Sequence, residues 1–358
     1  MIPPDSGTPP ADETGADRPT DRDIAPVLTP PNVSNPPVST RPGAGTFTIE
    51  GRSVPALFVV GWIATLLGLG FVGIAILAGG RGAAPALFIV GFVLLAVGLV
   101  AGAGSQGIER RVRARTAYRG PSPFLVFAAS IPVSLLVVII LGVPMTIVGI
   151  AVDGPFGRLI SVLAQAVIYV GLIRLLVIDV GALTWAEMGM RRFDGEAVRE
   201  LAKGALYAAP VILLTLPIAA IFAALLPVEP VSPLPPAGET TGFLLNLLAG
   251  AIVAPIGEEI LFRGFATTAW VRDLGARRAL VRGALFFAVV HVLTISGNDA
   301  PEALSLAIVG FVTRVPVAIA LGWLFLRRGT IWAPIGLHAA FNGILIVLAE
   351  LAVRSGAV

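Results

Sequence analysis

Two adjacent carboxylates and a guanidinium stand inside an apolar stretch, "APIGEEILFRG", that begins at Ala254. On a helix Glu259 and Arg263 are four residues apart and share a face, so we expect them to form an ion pair. Glu258 points about 100° away from that face and is left without a local countercharge. Such a carboxylate can take a proton from water, and an ionisable group at this depth is typical of a functional site. The alternative is that all three charges only join helices together.

Two other residues of the same stretch affect the helix itself. Pro255 lacks an N–H and therefore frees a backbone carbonyl about one turn earlier. Gly257 permits another helix to approach closely. We therefore expect the turn that carries the two glutamates to pack against a neighbouring helix.

The chain has only two histidines, His291 and His338, and each lies in an apolar stretch. Asn342 follows His338 by four residues and shares its helical face. A carboxylate, two imidazoles and an amide can activate water and stabilise developing negative charge, as peptide hydrolysis requires. Glu258, His291 and His338 could instead bind zinc and leave one position for water. Because Glu258 would then be a ligand rather than a base, we expect that no cofactor is required and keep zinc as the alternative.

The elements that carry these residues are predicted to be transmembrane helices. The chain has 358 residues, of which 56% are hydrophobic and only 13% charged. Its apolar residues lie in blocks of about twenty, which suffice to cross ~30 Å of hydrocarbon. We predict an all-α, polytopic transmembrane helix bundle of about nine spans, with eight to ten possible. The blocks cover residues 54–78, 83–103, 124–152, 159–180, 204–226, 242–270, 280–295, 303–325 and 331–353.

The first 53 residues differ in composition from the rest. They hold eleven of the 29 prolines and almost no aromatic residues. Such a segment cannot bury enough apolar surface to offset the entropy of ordering, so we predict a disordered cytoplasmic tail over residues 1–53. Residues 54–182 are then N-terminal transmembrane helices of unknown role, and residues 183–358 form a core that contains every candidate site residue.

Basic residues are concentrated in alternate loops. The segment "GIERRVRARTAYRG" carries five arginines, whereas "VEPVSPLPPAGET" carries no lysine or arginine. The positive-inside rule then predicts a multi-pass protein of the cell membrane with its N-terminus in the cytoplasm and its C-terminus outside. We expect the protein to contact the lipid bilayer, and the basic residues give no sign of nucleic-acid binding. Residues Trp185–Lys203 are charged with apolar residues at helical spacing, which predicts an amphipathic helix on the cytoplasmic surface.

Three short motifs, in order, resemble those of one family. "EEILFR" fits the pattern EExxxR, "FAVVH" fits FxxxH and "HAAFN" fits HxxxN. These are motifs of the CPBP family, which comprises type II CAAX prenyl proteases and bacteriocin-processing proteins and is also called the abortive-infection family. The similarity covers about residues 184–345. It implies that the core is an intramembrane endopeptidase that hydrolyses peptide bonds of membrane-associated or lipidated proteins.

The resemblance also implies a role for each matching residue. Glu258 would deprotonate a water molecule that His291 helps to hold. His338 and Asn342 would stabilise the oxyanion of the tetrahedral intermediate. The ion pair on the neighbouring helical face would support the site without taking part in the reaction. Members of the family are often called metalloproteases, which is why the zinc alternative stays open.

Arg314 is another ionisable residue deep in a predicted span, about eleven residues from either end of its block. It either balances the charge of Glu258 or Glu259, or holds a carboxylate of the substrate. Two functions of other classes also stay open. The first is an ion- or proton-coupled transporter that uses these charges as its path, although we find no internal repeat of the kind that transporters show. The second is a noncatalytic scaffold or immunity protein that keeps the charges for helix packing.

Overall fold

The computed structural model describes residues 46–49, 52–79, 81–113, 117–226, 228, 235–293 and 295–356. Within these ranges the chain is helical apart from one short hairpin, in which β1 (Thr46–Ile49) pairs antiparallel with β2 (Arg52–Pro55). Most of the predicted disordered tail, residues 1–53, lies outside the described residues. The hairpin at the end of that region was not expected from the composition.

The helices of the described ranges are labelled in chain order, and their bounds are as follows. They are α1 (Ala56–Leu77), α2 (Ala84–Arg113), α3 (Pro123–Ile147), α4 (Pro155–Ile178), α5 (Gly195–Leu206), α6 (Ala208–Leu225), α7 (Thr240–Leu274), α8 (Ala276–Val290), α9 (Ala300–Arg328) and α10 (Trp332–Arg354).

Eight helical stretches of the described chain are long and apolar enough to cross a bilayer. The chain is therefore a multi-pass, all-α membrane protein, and the predicted eight to ten spans are confirmed at the lower bound. Helices α5 and α6 together form one of these stretches, Gly195–Leu225. Helix α8 is not among them, because its 15 residues extend about 22 Å and the hydrocarbon layer is ~30 Å thick. The helix in the seventh predicted block ends at Val290, immediately before His291.

Helix α7 is the most buried of the candidate spans. Half of its most apolar 18-residue segment is buried, compared with 17% of the corresponding segment in α1, and every side chain from Ile260 to Trp270 is buried. The ring of Phe262 packs edge to face against Phe286 and Phe287 of α8, with centroids 5.3 and 5.1 Å apart. These aromatic contacts fix α8 against the helix that carries the two glutamates.

Helices α5 and α10 cross at two glycines. A Cβ on Gly204 would lie 1.9 Å from the carbonyl oxygen of Ala333, and a Cβ on Gly336 would lie 2.0 Å from that of Leu201. Only glycine allows two helix backbones to approach this closely. The crossing therefore sets the position of α10 two residues before His338.

The predicted amphipathic helix over Trp185–Lys203 is only partly correct. The helix begins at Gly195, where the Asp194 carboxylate accepts hydrogen bonds from the N–H groups of Glu196 and Ala197, each 3.0 Å long. The preceding residues are irregular, and Gly189 among them has a φ of +74°, a conformation that ends helices and favours glycine. An N-terminal cap of this kind stabilises a helix by about 1 kcal/mol, which favours a helix start at residue 195.

A buried carboxylate joins α5 to the end of α9. Glu200 accepts hydrogen bonds from Nε of Arg328, at 2.6 Å, and from Nζ of Lys203, at 2.9 Å. The Arg328 guanidinium also donates to the other carboxylate oxygen of Glu200 through its Nη2. This contact holds the surface helix against the bundle.

Candidate active site

Helix α7 changes its winding on both sides of the two glutamates. Ala249–Val253 and Ile260–Thr267 form wide turns with i→i+5 hydrogen bonds, and Ala254–Glu259 between them is ordinary α-helix. Such wide turns are often found at functional sites. A Cβ on Gly257 would lie 2.7 Å from the Cβ of Ala166, so the turn that carries the glutamates presses directly against α4.

Glu259 lies at the centre of a buried network. Its Oε1 is 2.9 Å from Nη1 of Arg263 and 2.8 Å from Nδ1 of His338. The Glu259 side chain is fully buried, and that of Arg263 is 2% exposed. Arg263 also donates to the carbonyl of Ala318, at 3.3 Å, and its guanidinium lies 4.3 Å from the ring centroid of Phe287. The network joins α7, α8, α9 and α10, and neither of its two charged partners is open to a substrate.

Glu258 is the accessible carboxylate of the pair. Its Oε2 lies 3.3 Å from Nε2 of His291 and 3.9 Å from Nε2 of His338. The side chain of Glu258 is 18% exposed and that of His291 is 24% exposed, in contrast to the sealed Glu259. The structure thus brings together one carboxylate and two imidazoles that are well separated in the sequence.

The partners of the two rings decide where their protons lie. Nδ1 of His291 is 2.7 Å from the carbonyl oxygen of Phe287, and Nδ1 of His338 is 2.8 Å from Oε1 of Glu259, which also accepts a hydrogen bond from Arg263. Both partners accept hydrogen bonds, so both Nδ1 atoms carry a hydrogen, and in a neutral ring Nε2 is then an acceptor. Among the described residues, Oε2 of Glu258 has no hydrogen-bond partner. Three acceptor atoms that converge in this way require a shared proton or a donor such as water among them.

Asn342 joins α10 to the first wide turn of α7. Its Nδ2 donates to the carbonyl oxygen of Gly250 at 2.9 Å. In that turn the N–H of Ala254 bonds five residues back to Ala249, and the next donor would be residue 255, which is a proline. Proline has no N–H, so the Gly250 carbonyl is left for Asn342. The second hydrogen of Nδ2 is not needed for this bond.

Arg314 does not join the buried network. Its Nη1 donates to the carbonyl oxygen of Gly310 on its own helix, at 2.9 Å. Among the residues that the structure describes, no carboxylate oxygen lies within 4.0 Å of a guanidinium nitrogen of Arg314, the distance that defines an ion pair. A direct contact with Glu258 or Glu259, one of the two roles expected from the sequence, is therefore not formed.

Zinc binding by Glu258, His291 and His338 stays an alternative to the metal-free site. In the described part of the chain, no group of three or more His, Cys, Asp and Glu side chains is arranged to hold a metal ion. Glu259 is already shared by Arg263 and His338, so Glu258 is the carboxylate that remains for a water molecule or a metal ion.

Two backbone carbonyls belong to the site but were not predicted as site groups. The carbonyl of Gly250 holds Asn342, and Pro255 five residues later was the signal that it would be free. The carbonyl of Ala318 holds Arg263, and nothing in the sequence indicates a contact between residues 55 positions apart.

Comparison with protein families gives one match. Residues 240–344 match the family described as type II CAAX prenyl endopeptidase Rce1-like. The matched range contains all the candidate site residues, and it begins later than residue 184, where the motif resemblance placed its start. No curated protein and no solved structure matched the chain. Residues 240–344, less than a third of the chain, are therefore similar to the Rce1-like type II CAAX prenyl endopeptidase family.

Proposed function

We propose that the protein is an intramembrane endopeptidase that uses Glu258 as general base to hydrolyse peptide bonds of membrane-associated or lipidated proteins. The observation that carries this proposal is the convergence of Oε2 of Glu258 with Nε2 of His291 and Nε2 of His338. This is the partly exposed side of a network whose other carboxylate is sealed. A water molecule placed there has Glu258 as acceptor for its proton and the imidazole of His291 to orient it.

In the proposed reaction, Glu258 takes a proton from this water while the water oxygen attacks the carbonyl carbon of the scissile bond. The carbonyl oxygen becomes an oxyanion, which hydrogen-bond donors stabilise. When the C–N bond breaks, the proton held by Glu258 passes to the leaving nitrogen. The products are a carboxylic acid and an amine, the acid then passes its proton to the amine to give a carboxylate and an ammonium group, and Glu258 returns to its initial state.

His338 and the second hydrogen of Asn342 Nδ2 are the proposed donors to the oxyanion. His338 can donate from Nε2 only when its ring is protonated, since its Nδ1 hydrogen is bound to Glu259.

The test is turnover of a fluorogenic membrane peptide by purified protein in nanodiscs. We expect Glu258→Gln to reduce kcat by about 10²–10⁴-fold, the usual contribution of a positioned acid–base group, because the amide keeps the shape but cannot take a proton. Glu196→Gln, which removes a carboxylate exposed on α5, is the matched control and should act like the wild type.

Both variants should melt at the temperature of the wild type. Turnover by Glu258→Gln within tenfold of the wild-type rate would reject Glu258 as the base. Comparative proteomics of membranes that contain wild-type protein or Glu258→Gln would then reveal the physiological substrates as proteins shortened only by the active form.

A further inference from the structure

Arg314 lies at the centre of α9, with fourteen residues of helix on either side. Each half of the helix extends about 21 Å, so the guanidinium is remote from both ends of the span. A charged side chain at such a depth is expensive unless it pairs with an opposite charge or faces a water-filled cavity. The absence of an ion pair among the described residues therefore needs a physical explanation.

The side chain of Arg314 points towards the candidate site. Gly310, Val317 and Leu321 share its face of α9, and all three are buried. Ala318, one turn further on, provides the carbonyl that accepts a hydrogen bond from the buried Arg263. This face of α9 thus packs against α7, and Arg314 is its charged member towards the N-terminal half of the helix.

The position of the guanidinium is fixed more closely by Gly310. A Cβ built on Gly310 would lie 3.1 Å from Nη1 of Arg314, 2.9 Å from Cδ1 of Ile295 and 3.3 Å from Cγ1 of Val292. Val292 directly follows His291, whose Nε2 faces Glu258. The guanidinium therefore lies beside the chain segment that holds one wall of the site, and the charge of Glu258 acts on it across the intervening space.

Most of the hydrogen-bonding capacity of Arg314 is unused within the described residues. A guanidinium has five N–H donors in a planar fork, and the structure shows one bond, to the carbonyl of Gly310. The positive charge of Arg263, by contrast, is matched by Glu259. The fork of Arg314 fits a carboxylate, which can take two parallel hydrogen bonds from it.

We propose that Arg314 is a specificity-determining residue that binds a carboxylate of the substrate near the scissile bond. The carboxylate belongs either to the free C-terminus of the substrate or to an Asp or Glu side chain close to the cleavage site. A phosphate of a bilayer lipid does not fit, because headgroups lie at the ends of α9 rather than at its centre. The inference rests on the proposed protease function and names the class of substrate that the same site takes.

Three matched membrane peptides test this proposal in nanodiscs. One has a free C-terminal carboxylate, the second is its C-terminal amide, and the third is an amide with one glutamate near the cleavage site. We expect the wild type to favour at least one carboxylate peptide over the amide by about 10- to 100-fold in kcat/KM, mainly through KM, as charged hydrogen bonds usually contribute. The preferred peptide identifies the source of the carboxylate.

The variants separate Arg314 from the general charge of the helix. Arg314→Gln should treat the three peptides alike, and Arg314→Lys should keep part of the preference because it keeps the charge without the fork. Arg327→Gln removes an equal charge from the exposed end of α9, where the guanidinium lies 5.9 Å from the ring centroid of Trp323, and should keep the full preference. A wild type that does not distinguish the peptides, or an Arg314→Gln variant that still does, would overturn the proposal.

A binding measurement keeps this result distinct from a failure of the protease proposal. Labelled peptides are titrated into Glu258→Gln protein in nanodiscs, where no cleavage is expected. Tighter binding of a carboxylate peptide, lost in the double variant Glu258→Gln/Arg314→Gln, supports the role of Arg314 even if the wild type cleaves none of the peptides. Equal binding of all three peptides contradicts it.

Discussion

The buried pair of Glu259 and Arg263 should respond strongly to the loss of either partner. Arg263→Leu leaves the Glu259 carboxylate, none of which is exposed, with the imidazole of His338 as its one remaining partner among the contacts described. Glu259→Ala leaves the guanidinium with the Ala318 carbonyl and the face of the Phe287 ring. Each single substitution thus strands a charge that water cannot reach.

The expected magnitudes follow from this burial. Breaking a buried ion pair by removing one partner costs about 3–5 kcal/mol, whereas replacing both partners by apolar residues is often neutral. The double variant Glu259→Ala/Arg263→Leu should therefore be more stable than either single variant, and the coupling free energy of the double-mutant cycle should reach about 3 kcal/mol. Activity should not return with stability, because His338 loses the carboxylate that orients its ring.

The assay is reversible unfolding in mixed micelles, followed by circular dichroism for the wild type, both single variants and the double variant. Arg174 and Asp179 provide an exposed control: their side chains are 3.7 Å apart and are 71% and 53% exposed. Their coupling should stay at or below about 1 kcal/mol, as for other solvent-accessible pairs. A coupling between Glu259 and Arg263 no larger than this control would refute the reasoning from burial.

Four further outcomes are expected. Gly336→Ala would place a Cβ 2.0 Å from a backbone carbonyl of α5 and should lower stability by roughly 1–3 kcal/mol together with activity, whereas Gly343→Ala, with its nearest contact at 3.5 Å, should melt like the wild type. Glu200→Gln should lower the melting temperature, because Arg328 and Lys203 lose the carboxylate that joins α5 to the end of α9, whereas Glu196→Gln, at an exposed position of the same helix, should melt like the wild type. The predicted topology, with the N-terminus inside and the C-terminus outside, requires a ninth crossing at the short helix α8, so in a chain without native cysteines Arg277→Cys should react with a membrane-impermeant thiol reagent in inside-out vesicles and Ser296→Cys in right-side-out vesicles. Reaction from one side only would leave eight crossings and place both termini on the same side. Purified active protein should contain much less than one equivalent of zinc by elemental analysis and keep its turnover after dialysis against a chelator; a loss of turnover that zinc restores would contradict the metal-free reaction.

The spacing of residues along single helices allowed much of the site to be predicted. The contact between Glu259 and Arg263 follows from a separation of four residues, and the close approach at Gly257 follows from the absence of a side chain. Hydropathy was equally informative about the number of apolar helices. These features depend on local geometry, which the order of residues determines.

Contacts between helices were harder to foresee. Periodicity does not reveal that His338 would bond to Glu259 through Nδ1 and leave only Nε2 for the substrate, since 79 residues separate the histidine from the glutamate. It also did not reveal that Arg314 would lack a carboxylate partner in the described structure. The start of α5 was misplaced by about ten residues because apolar spacing continues through an irregular segment that a glycine and a capping aspartate interrupt.

The bond between Asn342 and Gly250 makes two distant positions dependent on each other. Pro255 has no N–H to donate to the Gly250 carbonyl of α7, and the amide of Asn342 on α10 donates to it instead. If residue 255 regained an N–H, as in Pro255→Ala, the carbonyl of Gly250 would have a donor within its own helix and the amide of Asn342 would be released. Asn342 would then be free to rotate, and α10 would lose one of its attachments to α7. The amide of Asn342 on α10 thus replaces the backbone N–H that Pro255 lacks on α7. Natural or designed changes at residues 255 and 342 should therefore be tolerated best when made together.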